Sequence, residues 1–152
     1  MDKLDSSILN SLQDDFPLDE KPYDILAQRI RIPVELLWER IQKMCENGLI
    51  RRIGVSLDSA KFGFVSTLAA VSVPAAQVEQ AAQIMVAFSE VTHCYLRKDK
   101  FNIWFTIIAA NNERIEYILD QIRSLLLLDD SRILNLPAKQ VFKLDARFNP
   151  AS

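Results

Sequence analysis

Glycine, cysteine and histidine are scarce in this chain of 152 residues: it has three glycines, two cysteines and one histidine. Each scarcity removes a class of site. With so little glycine there is no glycine-rich loop to cradle phosphates. His93, Cys45 and Cys94 do not supply the clustered ligands that hold a zinc ion, so no metal held by the protein alone, and no other cofactor, is expected. Two cysteines do not make a disulfide framework in a chain this long, which points to a reducing cytoplasm. Long apolar runs are missing too. Leu68–Val71 and Leu125–Leu128 fall far short of the ~20 residues a membrane span needs. Met1–Asp15 carries four aspartates and does not read as a signal peptide.

What is present is a globular balance, 49% apolar and 25% charged, too apolar for a disordered chain. Leu4, Ile8, Leu9 and Leu12 predict an amphipathic first helix, ended by Phe16-Pro17. Pro22 opens a second, with Ile25, Leu26 and Ile30 as its apolar stripe. The short connection Arg31-Ile32-Pro33 leads to a third helix from about Val34 to Glu46, closed by Asn47-Gly48, with Leu37, Ile41 and Met44 inward. This is a helix-turn-helix. Leu49–Val55 is expected to follow as a wing strand.

Beyond Phe62 the apolar period drops to two. Phe64–Val73 is expected as a strand, followed by a helix opened by Pro74 with Val78, Ala81, Ala82 and Met85 on one face. Strands are predicted at Val91–Arg97 and Asn102–Ile108, a helix from about Asn112 to Leu126, and a last strand near Lys139–Arg147. The order β-α-β-β-α-β is a ferredoxin-like unit. The fold class expected is therefore α+β: a winged helix-turn-helix over residues 1–60 and a ferredoxin-like βαββαβ domain over 61–152.

A DNA-binding region should be the basic part of a chain. Here residues 1–60 carry 11 acids against 8 bases, and residues 61–152 carry 9 acids against 10 bases. Glu35 and Glu39 on the third helix would approach phosphate, although Arg40 and Lys43 lie further along it. Losing several phosphate contacts costs orders of magnitude in affinity. DNA is therefore not the expected partner, and Leu37 and Trp38, if exposed, would be interface residues.

The two-domain order resembles the Lrp/AsnC family of regulators over nearly the whole chain. Five separated segments resemble one offshoot of it, the siroheme decarboxylase subunits: Phe16-Pro17-Leu18, Arg51-Arg52-Ile53-Gly54, Val91-Thr92-His93-Cys94-Tyr95-Leu96-Arg97, Asn102-Ile103-Trp104-Phe105-Thr106 and Leu136-Pro137. Cys94 stands where that resemblance implies Asn. The resemblance implies removal of the carboxyl groups of two acetate side chains of siroheme, leaving methyls, in an alternative route to heme or heme d1. It also implies work beside a homologous second subunit.

Strand alternation puts His93, Tyr95 and Arg97 on one face and Thr92, Cys94 and Leu96 on the other. If Arg97 opposes Asn102, then Asn102, Trp104 and Thr106 join the first face, and Ile103, Phe105 and Ile107 fall under the helices. Lys139 and Lys143 are expected on that face as well, with Phe142 and Leu144 in the core. Four strands at ~4.8 Å spacing span about 14 Å, the scale of a tetrapyrrole. Aromatic rings stack on a flat macrocycle, and Arg97, with Arg51 and Arg52 from the wing, would hold its carboxylates.

Decarboxylation leaves an electron pair that needs a proton. Imidazole exchanges protons near neutral pH, so His93 is the candidate acid and Tyr95 the alternative donor. Because the substrate carries iron, His93 as axial ligand is the competing role. Two other readings stand beside the enzyme: a DNA-binding regulator with a small-molecule effector, and a non-catalytic partner subunit or heme sensor.

Overall fold

The computed structural model describes residues 1–145 together with 147, 148 and 150. The chain divides into two compact units, Met1–Ser56 with Lys143–Ser152, and Leu57–Phe142.

In the first unit α1 (Lys3–Asp14), α2 (Pro22–Ile30) and α3 (Val34–Glu46) enclose Ile8, Leu9, Leu26, Ala27, Leu37, Ile41, Met44 and Ile50. A reciprocal capping box starts α1: the Asp5 amide donates to Asp2 at 2.8 Å and the Asp2 amide to Asp5 at 3.0 Å. Between α2 and α3 the chain turns through Arg31 in the left-handed region, φ 62°. There the Ile32 amide bonds the Ala27 carbonyl and the Arg31 amide the Gln28 carbonyl, a Schellman ending that lets the turn be so short. Gly48, φ 71°, closes α3 in the same manner. Leu37 is fully buried and is not available to an interface; Trp38 is the exposed residue, its ring 4.2 Å from that of Tyr23.

The expected wing strand is not formed. Leu49–Val55 has no strand pairing, and of its residues only Ile50 is buried. Without a neighbour to complete a ladder, its alternation of apolar and polar residues does not make a sheet.

The second unit pairs β1 (Val65–Val71), β2 (Val91–Leu96), β3 (Ile103–Ala109) and β4 (Ile133–Pro137) in the order β2-β3-β1-β4, all antiparallel. α4 (Val78–Val86) and α5 (Asn112–Leu125) cover one face. Ala69, Val71, Ile103, Phe105 and Ile107 from the sheet meet Ala81 and Met85 from α4 and Ile115, Ile118, Leu119 and Ile122 from α5. This is the ferredoxin-like arrangement expected, with one displacement: the last strand runs over Ile133–Pro137 and not near Lys139–Arg147. Pro137 is tolerated because β4 is an edge. Phe142 and Leu144, expected in the core, are 88% and 93% exposed. Ala146, within the expected strand, lies outside the described residues.

α5 ends in a third Schellman turn, with Leu127 left-handed at φ 52°, 90% exposed, and Leu128 buried beneath it. A leucine side chain is crowded in that conformation whereas glycine is not. Leu127→Gly should raise stability by about 0.5–1 kcal/mol, and Gly48→Ala should lower it by about 1 kcal/mol. Equilibrium denaturation of the three proteins checks both signs.

Candidate functional site

The hairpin register decides which side chains share a surface. Tyr95 opposes Trp104, Cys94 opposes Phe105 and His93 opposes Thr106, and the Arg97 amide donates to the Asn102 carbonyl at 2.7 Å. This is the pairing expected from the apolar pattern of β3, whose Ile103, Phe105 and Ile107 are all buried. A slip of one residue would bring Trp104 and Thr106 under the helices and expose Phe105. Cys94 packs against the helix-covered core, where burial pushes its thiol up, a setting for an inert residue and not a nucleophile.

Within the second unit neither α4 nor α5 covers the opposite face. One row across it reads His93, Thr106, Leu68, Leu136; the next reads Tyr95, Trp104, Ala70, Leu134. The surface is thus polar and aromatic over β2 and β3 and aliphatic over β1 and β4. The aliphatic half departs from the basic face that the sequence predicts, because the strand over Ile133–Pro137 contributes Leu134 and Leu136 in place of Lys139 and Lys143. Lys139 lies past the end of β4, and Lys143 belongs to the first unit. Arg51 and Arg52 are exposed side chains of the first unit.

The rings on β2 and β3 are held in order. His93 and Tyr95 stack with centroids 6.1 Å apart and planes 22° from parallel. The Trp104 indole N–H donates to the Phe101 carbonyl at 2.7 Å, which fixes the ring, and the Arg97 guanidinium lies 5.9 Å from its centroid. Aromatic rings beside a guanidinium suit a planar ligand bearing carboxylates. Asn102 is differently employed: its amide accepts from the Val73 N–H at 3.1 Å and donates to the Val73 carbonyl at 2.8 Å, tying the start of β3 to the end of β1.

Strict alternation fails at one point in β2. Val91 opposes Ile107 and His93 opposes Thr106, so Thr92 is an extra residue, a β-bulge. Val91 and Cys94 both pack on the core, three positions apart, and Thr92 is not buried on the helical side as expected. Its hydroxyl lies 3.1 Å from His93 Nδ1 and 3.4 Å from the Thr106 carbonyl. The spacing of Val91 and Cys94 is the one sequence signal of this bulge. Among the described residues no group of three or more His, Cys, Asp or Glu is placed to hold a metal ion.

The exposed surface of α3 carries more acid than base. Arg40 is spent on the first turn of α1, with one guanidinium nitrogen 2.7 Å from Asp2 and 3.0 Å from Asp5. The exposed charged residues of α3 are then Glu35, Glu39, Lys43 and Glu46.

Residues 61–143 match the family described as AsnC-like ligand binding domain, and residues 5–51 the siroheme decarboxylase NirDL-like HTH domain. The chain is 38% identical over 148 residues to the siroheme decarboxylase alpha subunit of Desulfovibrio desulfuricans, covering 97% of this chain and 84% of that one. Among solved structures it resembles siroheme decarboxylase NirDL in co-complex with an iron-uroporphyrin III analogue, with a TM-score of 0.71 and 30% identity over 88% of this chain and 44% of that one. It also resembles Escherichia coli AsnC, with a TM-score of 0.80 over 99% of each chain. Identity to AsnC is 19%, so that likeness concerns the fold alone.

Because both polar ends of Asn102 serve the backbone, Asn102→Ala should cost about 1–3 kcal/mol by leaving the Val73 groups unpaired. Thermal unfolding checks the cost. Ligand affinity measured below the unfolding range should change less than twofold; a large affinity loss at unchanged stability would return Asn102 to the binding set.

Proposed function

This chain belongs to the siroheme decarboxylase family, and on that premise we propose that it decarboxylates two acetate side chains of siroheme, as a carboxy-lyase acting beside a homologous second subunit. The product would be didecarboxysiroheme, on a route to heme or heme d1. The shared face of His93, Tyr95, Arg97 and Trp104 carries the reading, because it brings a proton donor, a guanidinium and several aromatic rings onto one side of the sheet.

In the proposed reaction the bond between the acetate methylene and its carboxylate breaks and carbon dioxide leaves. The electron pair stays on the methylene carbon, which takes a proton from His93 and becomes a methyl group. A positioned acid is worth about 10²–10⁴-fold in rate. Tyr95, stacked on the imidazole, is the second donor within reach of the same region. Arg97 holds a neighbouring carboxylate, and Trp104 supports the macrocycle plane. Lys139, just past the end of β4, is assigned to an outer carboxylate. The iron belongs to the substrate, and no resident cofactor is assigned.

Two observations support a partner. The relative from Desulfovibrio desulfuricans is named as an alpha subunit, and NirDL is a chain of which this one matches 44%. An open sheet half lined by Leu68, Leu134 and Leu136 also favours burial against another chain. No helix among the described residues is long and apolar enough to cross a membrane. The exposed free thiol of Cys45 suits a reducing compartment, and the cytoplasm is the proposed location.

The test is anaerobic turnover of siroheme by the chain assembled with its homologous partner, followed by mass spectrometry. Loss of two carboxyl groups is expected, with His93→Ala slowing it by about 10²–10⁴-fold. Undiminished turnover by His93→Ala would deny this chain the acid. The visible spectrum of the bound iron tetrapyrrole should be unchanged by the same substitution; a changed ligand field would make His93 an axial ligand instead.

A further inference from the structure

Thr92 takes no part in the reading above, yet it is the residue at which β2 breaks its alternation. A bulge beside a functional group re-aims the side chains around it. Here it leaves Thr92 and His93 both out of the core, between Val91 and Cys94, which are packed into it. The Thr92 hydroxyl then sits between two groups, the Thr106 carbonyl at 3.4 Å and His93 Nδ1 at 3.1 Å.

A hydroxyl has one hydrogen to give. A carbonyl can only accept, so if the hydroxyl gives its hydrogen to Thr106 it can only accept from His93, and Nδ1 must carry a proton. That arrangement fits the imidazolium, in which both ring nitrogens carry hydrogen. It also fits the neutral ring that remains once Nε2 has delivered its proton, so nothing has to reorient between the two states. The reverse arrangement, with the hydroxyl donating to a bare Nδ1, cannot accept the imidazolium at all. Nδ1 is thereby occupied, and Nε2 has no partner among the described residues.

We propose that Thr92 is a positioning residue: bridging the Thr106 carbonyl and His93 Nδ1, it holds the imidazole in the Nδ1–H tautomer and so reserves Nε2 for the proton transfer. This rests on the reading of His93 as the acid. The other groups facing the ring are Tyr95 on the same strand, with Arg97 beyond it, and Thr106 from β3, so no carboxylate of the hairpin competes for Nδ1.

His93 is the only histidine of the chain, so selective ¹⁵N labelling gives signals from one imidazole. The measurement uses the assembled complex with an unlabelled partner, for the native chain, Thr92→Val and Thr92→Ser. The native protein should show the Nδ1–H tautomer once the ring is neutral. Thr92→Val, close in shape but without the hydroxyl, should shift it towards Nε2–H, and Thr92→Ser should restore it. In turnover of siroheme, Thr92→Val should lower kcat by roughly ten- to a hundredfold, the range found when the hydrogen-bond partner orienting a metal-binding histidine is lost. KM should change little, and the alkaline limb of the pH profile, along which the acid loses its proton, should move. A native tautomer retained in Thr92→Val overturns the proposal. A lost tautomer with unchanged kcat and pH profile upholds the grip of Thr92 on the ring and removes His93 from the chemistry, so the two failures are distinct.

Discussion

Pairing of β2 with β3 sets everything that the open face can do. Side chains alternate along a strand, so the register that brings Tyr95 opposite Trp104 also sends Cys94 and Phe105 under the helices. The force behind it is burial. Ile103, Phe105 and Ile107 are each almost completely withdrawn from water, and each contributes roughly 1.5–3 kcal/mol that a slip of one position would forfeit. The core therefore chooses the register, and the register delivers the imidazole, phenol, indole and guanidinium to one surface. A ferredoxin-like sheet with helices on one side supplies the uncovered second face at no further structural cost.

The helix-turn-helix shows the complementary case, a fold kept while the charge that would serve DNA is withdrawn. Arg40, a base on the third helix, is held by Asp2 and Asp5 at the start of α1. The pair ties α3 to α1 and leaves Lys43 as the exposed cation of the helix against Glu35, Glu39 and Glu46. Fold likeness to AsnC thus carries no function with it, as is general for widely used folds.

Much of this was legible in the residues. The helix boundaries followed from apolar periodicity and from Pro22, Pro33 and Gly48, and the hairpin register followed from the strict alternation of β3. Three features were not. β4 was misplaced because Ile133-Leu134-Asn135-Leu136-Pro137 has apolar residues on both faces, one side meeting the core and the other lying on the open sheet, so alternation gave no clear strand. The wing failed for the opposite reason: Ile50-Arg51-Arg52-Ile53 alternates adequately, but pairing depends on a neighbour that the local sequence does not contain. Thr92 was assigned to the wrong side because a bulge is a tertiary accommodation, hinted at only by the three-residue spacing of Val91 and Cys94. The displacement of β4 turns an expected basic platform into one half aromatic and half aliphatic.

On the proposed function, the tetrapyrrole lies over β2 and β3 with its reacting acetate at the imidazole. A crystal structure of the assembled complex with a bound iron tetrapyrrole tests it most directly. An acetate methylene is expected within about 3–3.5 Å of His93 Nε2, the separation at which reacting atoms meet, with a macrocycle edge over Trp104. A macrocycle bound elsewhere, or one whose acetates all lie beyond reach of His93, would contradict it.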